Sequence, residues 1–377
     1  MIKVITPVGT SVFENFLKDN EDTNFKRAYE YFKDNKLKAE ELDREVNRRE
    51  NIEKAINEKW FKSNPNASAE IKSLIKIKEE LKDNLEIYLL YSDTALSRLS
   101  VEILKEAISY YDELKGAKVE IRKIERLQIW DREEFKRGMT NLIKTIYNIA
   151  QGYWENIVIN ITGGYKATIP YLTILGQVNK CLIYYIFEDT DTLIKIPYLP
   201  IDIKWDLFDK YWEFFKKIEH PNSLPKNDLP DYFLKDCESL LELEDISNTC
   251  YVSLNLLGEI FWRKYKSKFF IFYAPENVYE EIKKQQNIQE IISSKFFKPE
   301  IRKNKTEKKN NNHLVYDDGN NPFRIFYFEE GEKIFIYKTF ESHKEYEDYL
   351  KKTEFDERFK KQIKKNSKLY KQEVQNV

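Results

Sequence analysis

The spacing of apolar positions divides the first half of the chain into short apolar runs separated by amphipathic stretches. The apolar runs predict buried strands at residues 2–8, 85–92, 156–162 and 181–188, with a weaker strand at 118–124. Helical spacing separates them, as at residues 96–114 and 133–149. Strands that alternate with helices predict an α/β fold, in which a mostly parallel sheet carries helices on both faces.

Residues 20–83 interrupt this alternation with a long charged segment. Leu42, Val46 and Ile56 recur there at near-helical spacing, so the segment is predicted to form inserted or peripheral helices.

The pattern changes after Pro200. An aromatic helix is expected from Trp205, followed by a Pro- and Asn-rich linker and then by a helix, a short hairpin and a helix, which predict a small winged-helix-like connector. The remainder predicts a strand at 269–274, an amphipathic helix at 276–297, a basic loop at 298–312, a hairpin at 322–340 and a final helix at 342–365. The expected domains are 1–203, 204–266 and 267–377, and the last of them is α+β.

The near-neutral net charge of −1 conceals an asymmetry along the chain. Residues 261–377 hold 26 Lys and Arg against 19 Asp and Glu, whereas the preceding residues hold 37 against 45. A basic C-terminal part favours an RNA or DNA partner. A lysine-rich solvated surface is the alternative explanation.

Composition also limits the cellular setting and the metal chemistry. The sequence contains no apolar run long enough for a transmembrane helix. The N-terminal residues have the pattern of a strand and not of a signal peptide, so no membrane partner is expected. Three scattered cysteines (Cys181, Cys237 and Cys250) suit neither a disulfide framework nor a zinc site. We therefore expect a cytoplasmic protein without a metal site or cofactor.

The stretch from Asn160 to Ile174, NITGGYKATIPYLTI, has the order strand, Gly-Gly turn, helix. A helix N-terminus attracts anions, glycines let the backbone approach a ligand, and Lys166 adds a full positive charge. The stretch lacks the P-loop pattern. An ordinary strand-to-helix turn remains the alternative interpretation.

Polar turns follow three of the predicted strands, at 7–11, 91–98 and 160–167. Ligands of open α/β sheets bind beyond the carboxyl ends of the strands, so the three turns together predict one site for a phosphate-bearing, nucleotide-like ligand. Its candidate residues are Gly9, Thr10, Ser11, Asp93, Thr94, Asn160, Thr162, Gly163, Gly164, Tyr165 and Lys166.

The segments TPVGTSVFENFL (6–17), NITGGYKATIPYLTILGQ (160–177) and IYYIFEDTDTLIKIPYLPI (183–201) closely resemble the CRISPR-associated Rossmann-fold (CARF) sensor domains. The resemblance covers about residues 1–203. It implies a homodimer that binds a cyclic oligoadenylate across its two-fold axis, with cyclic tetra-adenylate as the expected activator. It also implies that Gly9 to Ser11 and Asn160 to Lys166 line the ligand. A ring of four phosphates suits two copies of one anion-binding turn.

The C-terminal part lacks the motifs of two common nuclease classes. The hairpin has no carboxylate two residues before Lys333 or Lys338, as a metal-dependent PD-(D/E)xK nuclease requires, and no histidine follows an arginine at the HEPN spacing. A metal-free ribonuclease needs only cations and proton-transfer groups around the attacked phosphate. Residues on or just after the hairpin offer them: Arg324, Lys338, His343, Lys344 and Tyr346. Each has an ordinary structural alternative, as an edge-strand charge, an exposed helix-start residue or a core side chain.

The segment FRIFYFEEGEKIFIYKTFESHKEYEDYLKK (323–352) resembles, diffusely, the RelE/HigB toxin superfamily. The resemblance covers about residues 268–365 and implies a ribosome-dependent mRNA interferase. It implies that Arg324 stabilises the phosphate, that Lys338 and Lys344 are the basic residues after the hairpin, and that Tyr346 is the family's tyrosine. His343 has no fixed counterpart there. Lys305, Lys308 and Lys309 are expected to hold the RNA backbone.

The sequence thus predicts a ribonuclease activated by a cyclic oligoadenylate, with ribosome and mRNA as partners and an acidic ribosomal stalk protein as a further expected partner. Two alternatives stay open. The first is a ligand-responsive regulator that reads nucleic acid through the connector, and the second is a metal-dependent nuclease of another lineage.

Overall fold

The computed structural model describes residues 1–374 except 65, 188–191, 201–202, 320 and 332. The chain divides into two compact units, Met1–Trp262 and Arg263–Val377. The division lies four residues from the boundary expected after 266, and it keeps the expected sensor and connector in one unit.

The N-terminal unit contains strands and helices that alternate along the chain. Its strands are β1 Ile2–Pro7, β2 Leu85–Ser92, β3 Lys118–Ile124, β4 Ile157–Asn160, β5 Leu182–Ile186, β6 Leu193–Ile196, β7 Leu224–Pro225, β8 Leu241–Ile246 and β9 Thr249–Leu254. Its helices are α1 Ser11–Asp19, α2 Thr23–Asn35, α3 Val46–Ala55, α4 Glu58–Ser63, α5 Ala69–Leu81, α6 Ala95–Ile108, α7 Arg132–Ala150, α8 Ile169–Asn179, α9 Asp206–Lys210, α10 Trp212–Ile218, α11 Asp231–Asp236 and α12 Leu256–Ser267, which continues past the division.

The main sheet of this unit has the strand order β3-β2-β1-β4-β5-β6. The first five strands in this order are parallel, and β6 pairs antiparallel with β5. Val4 and Leu89 pack on one face against α1, α5 and α6, whereas Ile5 and Ile159 pack on the other face against α7 and α8. Burial on both faces explains why these strands read as continuous apolar runs.

The predicted α/β alternation is confirmed. Strands β2 and β3 have the predicted bounds, and residues 20–83 form helices α2 to α5. Strands β1, β4 and β5 are shorter than predicted, and the predicted end of the last at Glu188 lies outside the described residues. The sequence pattern did not predict β6, because this short strand is mostly exposed.

The connector region has the predicted helix, hairpin and helix as α11, β8–β9 and α12. The hairpin belongs to a small sheet ordered β7-β9-β8. Aromatic rings of α9 and α10 pack against α12, where Trp262 stacks with Phe215 at 5.4 Å between ring centroids. The winged-helix-like assignment stays a prediction.

The C-terminal unit contains a mixed sheet ordered β11-β12-β13-β14-β10-β15. Its strands are β10 Phe269–Pro275, β11 Thr306–Lys308, β12 Leu314–Asp317, β13 Arg324–Glu330, β14 Lys333–Phe340 and β15 Ser367–Glu373. Its helices are α13 Glu276–Lys284, α14 Gln286–Ile291, α15 Pro299–Asn304, α16 His343–Lys352 and α17 Glu357–Asn366, and a π-helical turn covers Ile292–Phe296.

Two predictions for the C-terminal unit are wrong, and strands β12 and β15 were not predicted. Residues 298–312, expected as a loop, contain α15 and β11, because Arg302 is buried and donates from Nη1 to the Phe296 carbonyl at 2.9 Å. The single helix expected over 342–365 is two helices, because the Asp356 side chain accepts from the Phe359 N–H and starts α17 anew. Strand β15 was not expected, since its exposed face is as polar as a helix surface.

Within the part of the chain that the structure describes, no helix has both the length and the apolar character needed to cross a bilayer.

His313 is buried in the aromatic core of the C-terminal unit. Its Nε2 lies 2.8 Å from the Thr353 carbonyl, and its Nδ1 lies 2.8 Å from the Tyr337 hydroxyl. Because a carbonyl only accepts, Nε2 carries the proton and Nδ1 accepts from Tyr337. Burial lowers the pKa of His313, so the ring is held neutral.

This burial predicts a loss of stability in acid. An unfolded histidine takes up a proton as the pH falls through about 6.5, whereas folded His313 resists it, so the unfolded state binds more protons there. We expect the Tm to fall between about pH 7.5 and pH 5.5 and the fall to be smaller in His313→Gln. Thermal unfolding across this range measures it. The variant His343→Gln, at an exposed histidine, is the control, and an equal change in both variants would contradict the assignment to His313.

Candidate functional site

The carboxyl ends of β1, β2 and β4 lie at one edge of the main sheet, as their parallel pairing requires. The strand order reverses between β1 and β4, which places the crevice of an open α/β sheet at that point. The three polar turns predicted to meet do follow these strand ends, at Pro7, Ser92 and Asn160.

Helix N-termini add partial positive charge to this edge. Helix α1 begins at Ser11 and α6 at Ala95, and a 3₁₀ turn that starts at Lys166 leads into α8. The Thr94 hydroxyl caps α6 by accepting from the Ser97 N–H at 3.2 Å. The partial positive charge of a helix N-terminus favours an anion at such an edge, although in α6 the Ala95 N–H already donates to the Leu37 carbonyl at 2.9 Å.

The glycines of the edge are required by the packing of the chain itself. A Cβ on Gly163 would lie 2.4 Å from Oε1 of Glu70, and a Cβ on Gly164 would lie 2.7 Å from Cβ of Pro7. Gly164 also has a φ of +84°, which favours glycine. The sequence interpretation gave these glycines a role in approaching a ligand, whereas the structure provides an internal reason for both.

Glu70 is a buried carboxylate that sequence reasoning missed. It is only 2% exposed, accepts from the Gly9 N–H at 2.9 Å and accepts from the Ser68 hydroxyl at 2.8 Å. The Ser100 hydroxyl donates to the Gly9 carbonyl at 2.6 Å. Gly9 is thus held on both sides, and its N–H is already paired. No local signal marks Glu70, because it lies on α5, within the charged segment 20–83.

Asn160 and Thr162 use their side chains to build the turn. Fully buried Asn160 donates to the Ser73 hydroxyl at 2.7 Å and accepts from the Thr162 N–H at 3.3 Å. The Thr162 hydroxyl accepts from the Ile186 N–H at 3.0 Å. These two residues therefore contribute to the edge by fixing the shape of the turn.

Tyr165 and Asp93 connect neighbouring strand ends. The Tyr165 hydroxyl lies 3.0 Å from the Ser92 hydroxyl, and burial raises the pKa of Tyr165. Asp93 forms a 3.1 Å ion pair with Lys123 and accepts from the Arg126 N–H at 3.1 Å. Both side chains are paired within the protein. Among the predicted ligand residues, Ser11 and Lys166 are exposed and Thr10 is half-buried.

A cavity of about 550 Å³ lies elsewhere in the N-terminal unit, between α7 and the β8–β9 hairpin. Its lining includes Lys136, Arg137 and Glu244, and none of the predicted ligand residues lines it.

Three of the five predicted ribonuclease residues come together in the C-terminal unit. The Arg324 guanidinium carbon lies 5.2 Å from the centre of the Tyr346 ring, and the His343 ring meets the Tyr346 ring edge-on at 4.9 Å between centroids. Arg324 and Tyr346 are buried, whereas His343 is exposed. Burial raises the pKa of Tyr346, so its hydroxyl stays protonated and can donate.

Arg324 is already paired. Its Nη2 lies 2.9 Å from Oδ2 of Asp317, and its Nη1 donates to the carbonyls of Asn321 at 2.7 Å and Phe323 at 2.8 Å. Lys338 is paired elsewhere, with both carboxylate oxygens of Glu281 on α13, at 3.0 and 2.8 Å. Lys344 is exposed on α16.

The lysines expected to hold RNA differ in their surroundings. Lys309 is ion-paired with Glu307, and that hydrogen bond raises the pKa of Lys309. Burial and the Glu347 side chain raise the pKa of Tyr346, and the charges of Arg324 and Lys309 lower it by a smaller amount. Lys309 is therefore close enough to Tyr346 to affect its charge, and it lies near the predicted site. Lys305 reaches the Asp318 carbonyl at 3.5 Å, and Lys308 is exposed.

Among the described residues, no group of three or more His, Cys, Asp or Glu side chains is arranged to hold a metal ion.

Residues 65–199 match the model of a family of CRISPR-associated proteins, Cas_APE2256. The match indicates a CRISPR-associated protein. It covers about a third of the chain and includes the turn from Asn160 to Lys166, but neither the first turn at Gly9 nor the C-terminal unit. A search of curated proteins finds no significant match.

The buried Glu70 carboxylate predicts a sharp difference between two substitutions. Glu70→Ala leaves the Gly9 N–H without its acceptor and is expected to lower the free energy of unfolding by about 1–3 kcal/mol. Glu70→Gln keeps an acceptor oxygen and is expected to lower it less. Urea unfolding measures both. The control is Glu79→Ala, which removes an exposed carboxylate from the same helix. An equal loss of stability in Glu79→Ala would contradict the role of Glu70 as the acceptor of the Gly9 N–H.

Proposed function

We propose that the chain is an effector of CRISPR defence in which the N-terminal unit senses a cyclic oligoadenylate and the C-terminal unit cuts mRNA on the ribosome. The observation that carries the sensor half is the turn Asn160–Lys166: it lies at the switch point between β1 and β4 and within the segment that matches a CRISPR-associated family.

The electrostatics of the edge support an anionic ligand. The N-termini of α1 and α6 and the turn into α8 lie there, and Lys166 is exposed beside them. Cyclic tetra-adenylate presents four phosphates with rotational symmetry, so two copies of the edge in a homodimer would bind it through equivalent contacts. Ligand binding can activate the C-terminal unit only if the ligand binds the active state of the protein more tightly than the inactive state.

The C-terminal unit supports a metal-independent ribonuclease through its charge and its proton-transfer groups. Attack of a ribose 2′-hydroxyl on the adjacent phosphate requires one group that removes a proton, one that supplies a proton, and cations near the phosphorane. Exposed His343 is suited to remove the proton, and protonated Tyr346 is suited to supply one. Lys344 on α16 and Lys309 next to β11 would face the phosphate. Arg324 lies over the Tyr346 ring and would orient it.

The sensor proposal predicts a selective loss of ligand affinity. Lys166→Gln removes one charge-assisted contact and is expected to weaken cyclic tetra-adenylate binding about tenfold or more. Titration calorimetry with cyclic tri-, tetra- and hexa-adenylate measures this and identifies the ring. Lys195→Gln, at an exposed lysine on β6, is the matched control. Equal affinity in wild type and Lys166→Gln would refute the assignment of Lys166.

The effector proposal predicts ring-dependent mRNA cleavage in a reconstituted translation reaction, mapped by primer extension. His343→Gln and Tyr346→Phe are each expected to reduce cleavage about a hundredfold or more, since each removes a proton-transfer group. Tyr346→Phe keeps the ring that packs under Arg324, so folding is preserved. Lys351→Gln, at an exposed lysine on α16, is the control.

Three outcomes would overturn the effector proposal. Cleavage of free RNA or DNA that needs an added divalent metal would identify another nuclease lineage. Cleavage that survives both substitutions would place the site elsewhere. Binding of the ring without cleavage, with nucleic-acid binding lost on substitution in the β8–β9 hairpin, would identify a regulator.

A further inference from the structure

Helix α17 carries a row of cations on one face. Arg358, Lys361 and Lys365 have the spacing i, i+3, i+7, and with 3.6 residues per turn they fall within one narrow stripe. All three side chains are exposed. We call these three residues the α17 stripe.

The opposite face of α17 is buried. Ile363 belongs to the apolar cluster between the sheet, α16 and α17, and Phe359 packs against the same cluster. The helix is therefore fixed in orientation, with the stripe turned away from the sheet. Because its apolar face is already used, α17 cannot lay that face into a lipid surface, as an amphipathic membrane-binding helix does.

The stripe has little compensating charge: the one acidic residue of α17, Glu357, lies at the start of the helix and is ion-paired with Lys360 at 3.9 Å. Neighbouring Lys364 is paired with Glu330 at 2.6 Å, and Lys368 with Glu276 at 2.9 Å. Among the described residues, by contrast, Arg358, Lys361 and Lys365 have no ion-pair partner. The sequence from Arg358 to Gln372 contains seven Lys and Arg and no Asp or Glu. Like charges at this spacing repel one another along a helix, so the bare stripe is destabilising in the isolated protein.

We propose that the α17 stripe holds the phosphate backbone of RNA. A row of exposed cations without interspersed carboxylates complements a chain of regularly spaced phosphates and gains affinity by releasing their counterions. The choice of RNA as the nucleic acid rests on the proposed function. The stripe is separate from the residues proposed for chemistry on α16, and it adds a binding surface to the three lysines expected at 305–309.

The test measures binding, which does not depend on cleavage. Full-length protein carrying Arg358→Gln, Lys361→Gln and Lys365→Gln is titrated into a short labelled single-stranded RNA, with fluorescence anisotropy as readout, between about 50 and 200 mM salt. Glutamine keeps high helix propensity, so α17 is preserved. The control protein carries Lys54→Gln, Lys62→Gln and Lys76→Gln. These three lysines lie on α3, α4 and α5, each ion-paired with a neighbouring glutamate, and the control loses the same net charge as the stripe variant.

We expect the stripe variant to bind RNA at least tenfold more weakly at about 100 mM salt, and the dependence of log K on log salt to become shallower by about 2, since each lost contact removes about 0.7. The control variant should match wild type. Equal loss in both variants would show that net charge alone matters and would overturn the proposal. The proposal would also be overturned if the protein did not bind RNA but bound an acidic peptide or phosphatidylserine vesicles through the stripe.

The outcome is separable from that of the proposed function. Stripe-dependent RNA binding without any ring-activated cleavage would support the RNA surface and refute the ribonuclease. Ring-activated cleavage with unchanged RNA affinity in the stripe variant would support the ribonuclease and refute the RNA surface.

Discussion

A carboxylate buried at the positively polarised edge of the main sheet holds that edge together. Glu70 accepts from the Gly9 N–H and from the Ser68 hydroxyl, and it lies so close to Gly163 that any Cβ there would collide with it. The buried carboxyl group is tolerated because each of its oxygens accepts a hydrogen bond. The turns after β1 and β4 and the start of α5 are therefore packed directly against one another.

The proposed ribonuclease site has a different electrostatic character. The charge of Arg324 is balanced by Asp317, so this arginine offers a substrate phosphate less net charge than its sequence position suggested. The pair of buried Arg324 with half-buried Asp317 does give orientation, because Arg324 cannot move without leaving its charge uncompensated. Arg324 thereby orients the Tyr346 ring, and in the proposed mechanism the charge that meets a phosphate would come chiefly from exposed Lys344.

Periodicity was sufficient to predict the central parallel strands, since a strand buried on both faces is largely apolar, as at residues 87–90 of β2. The convergence of three turns followed from strand direction alone. Long-range pairing could not be predicted in the same way. Glu70 reaches Gly9 across 61 residues, and the ion pair of Lys338 with Glu281 spans 57, so neither has a local signature. The pattern also gave no indication of the break between α16 and α17, because a capping Asp resembles any other charged residue of a polar helix.

The position of β10 has a consequence for synthesis of the protein. This strand comes first in the C-terminal sheet, yet it lies between β14 and β15, which come last. While the chain is being made, β10 can pair with β14 only after residues 333–340 have emerged and with β15 only after residues 367–373 have emerged, so two long loops must close before its edges are covered. A nascent chain therefore cannot complete this sheet, or the surfaces built on it, before translation has passed Glu373.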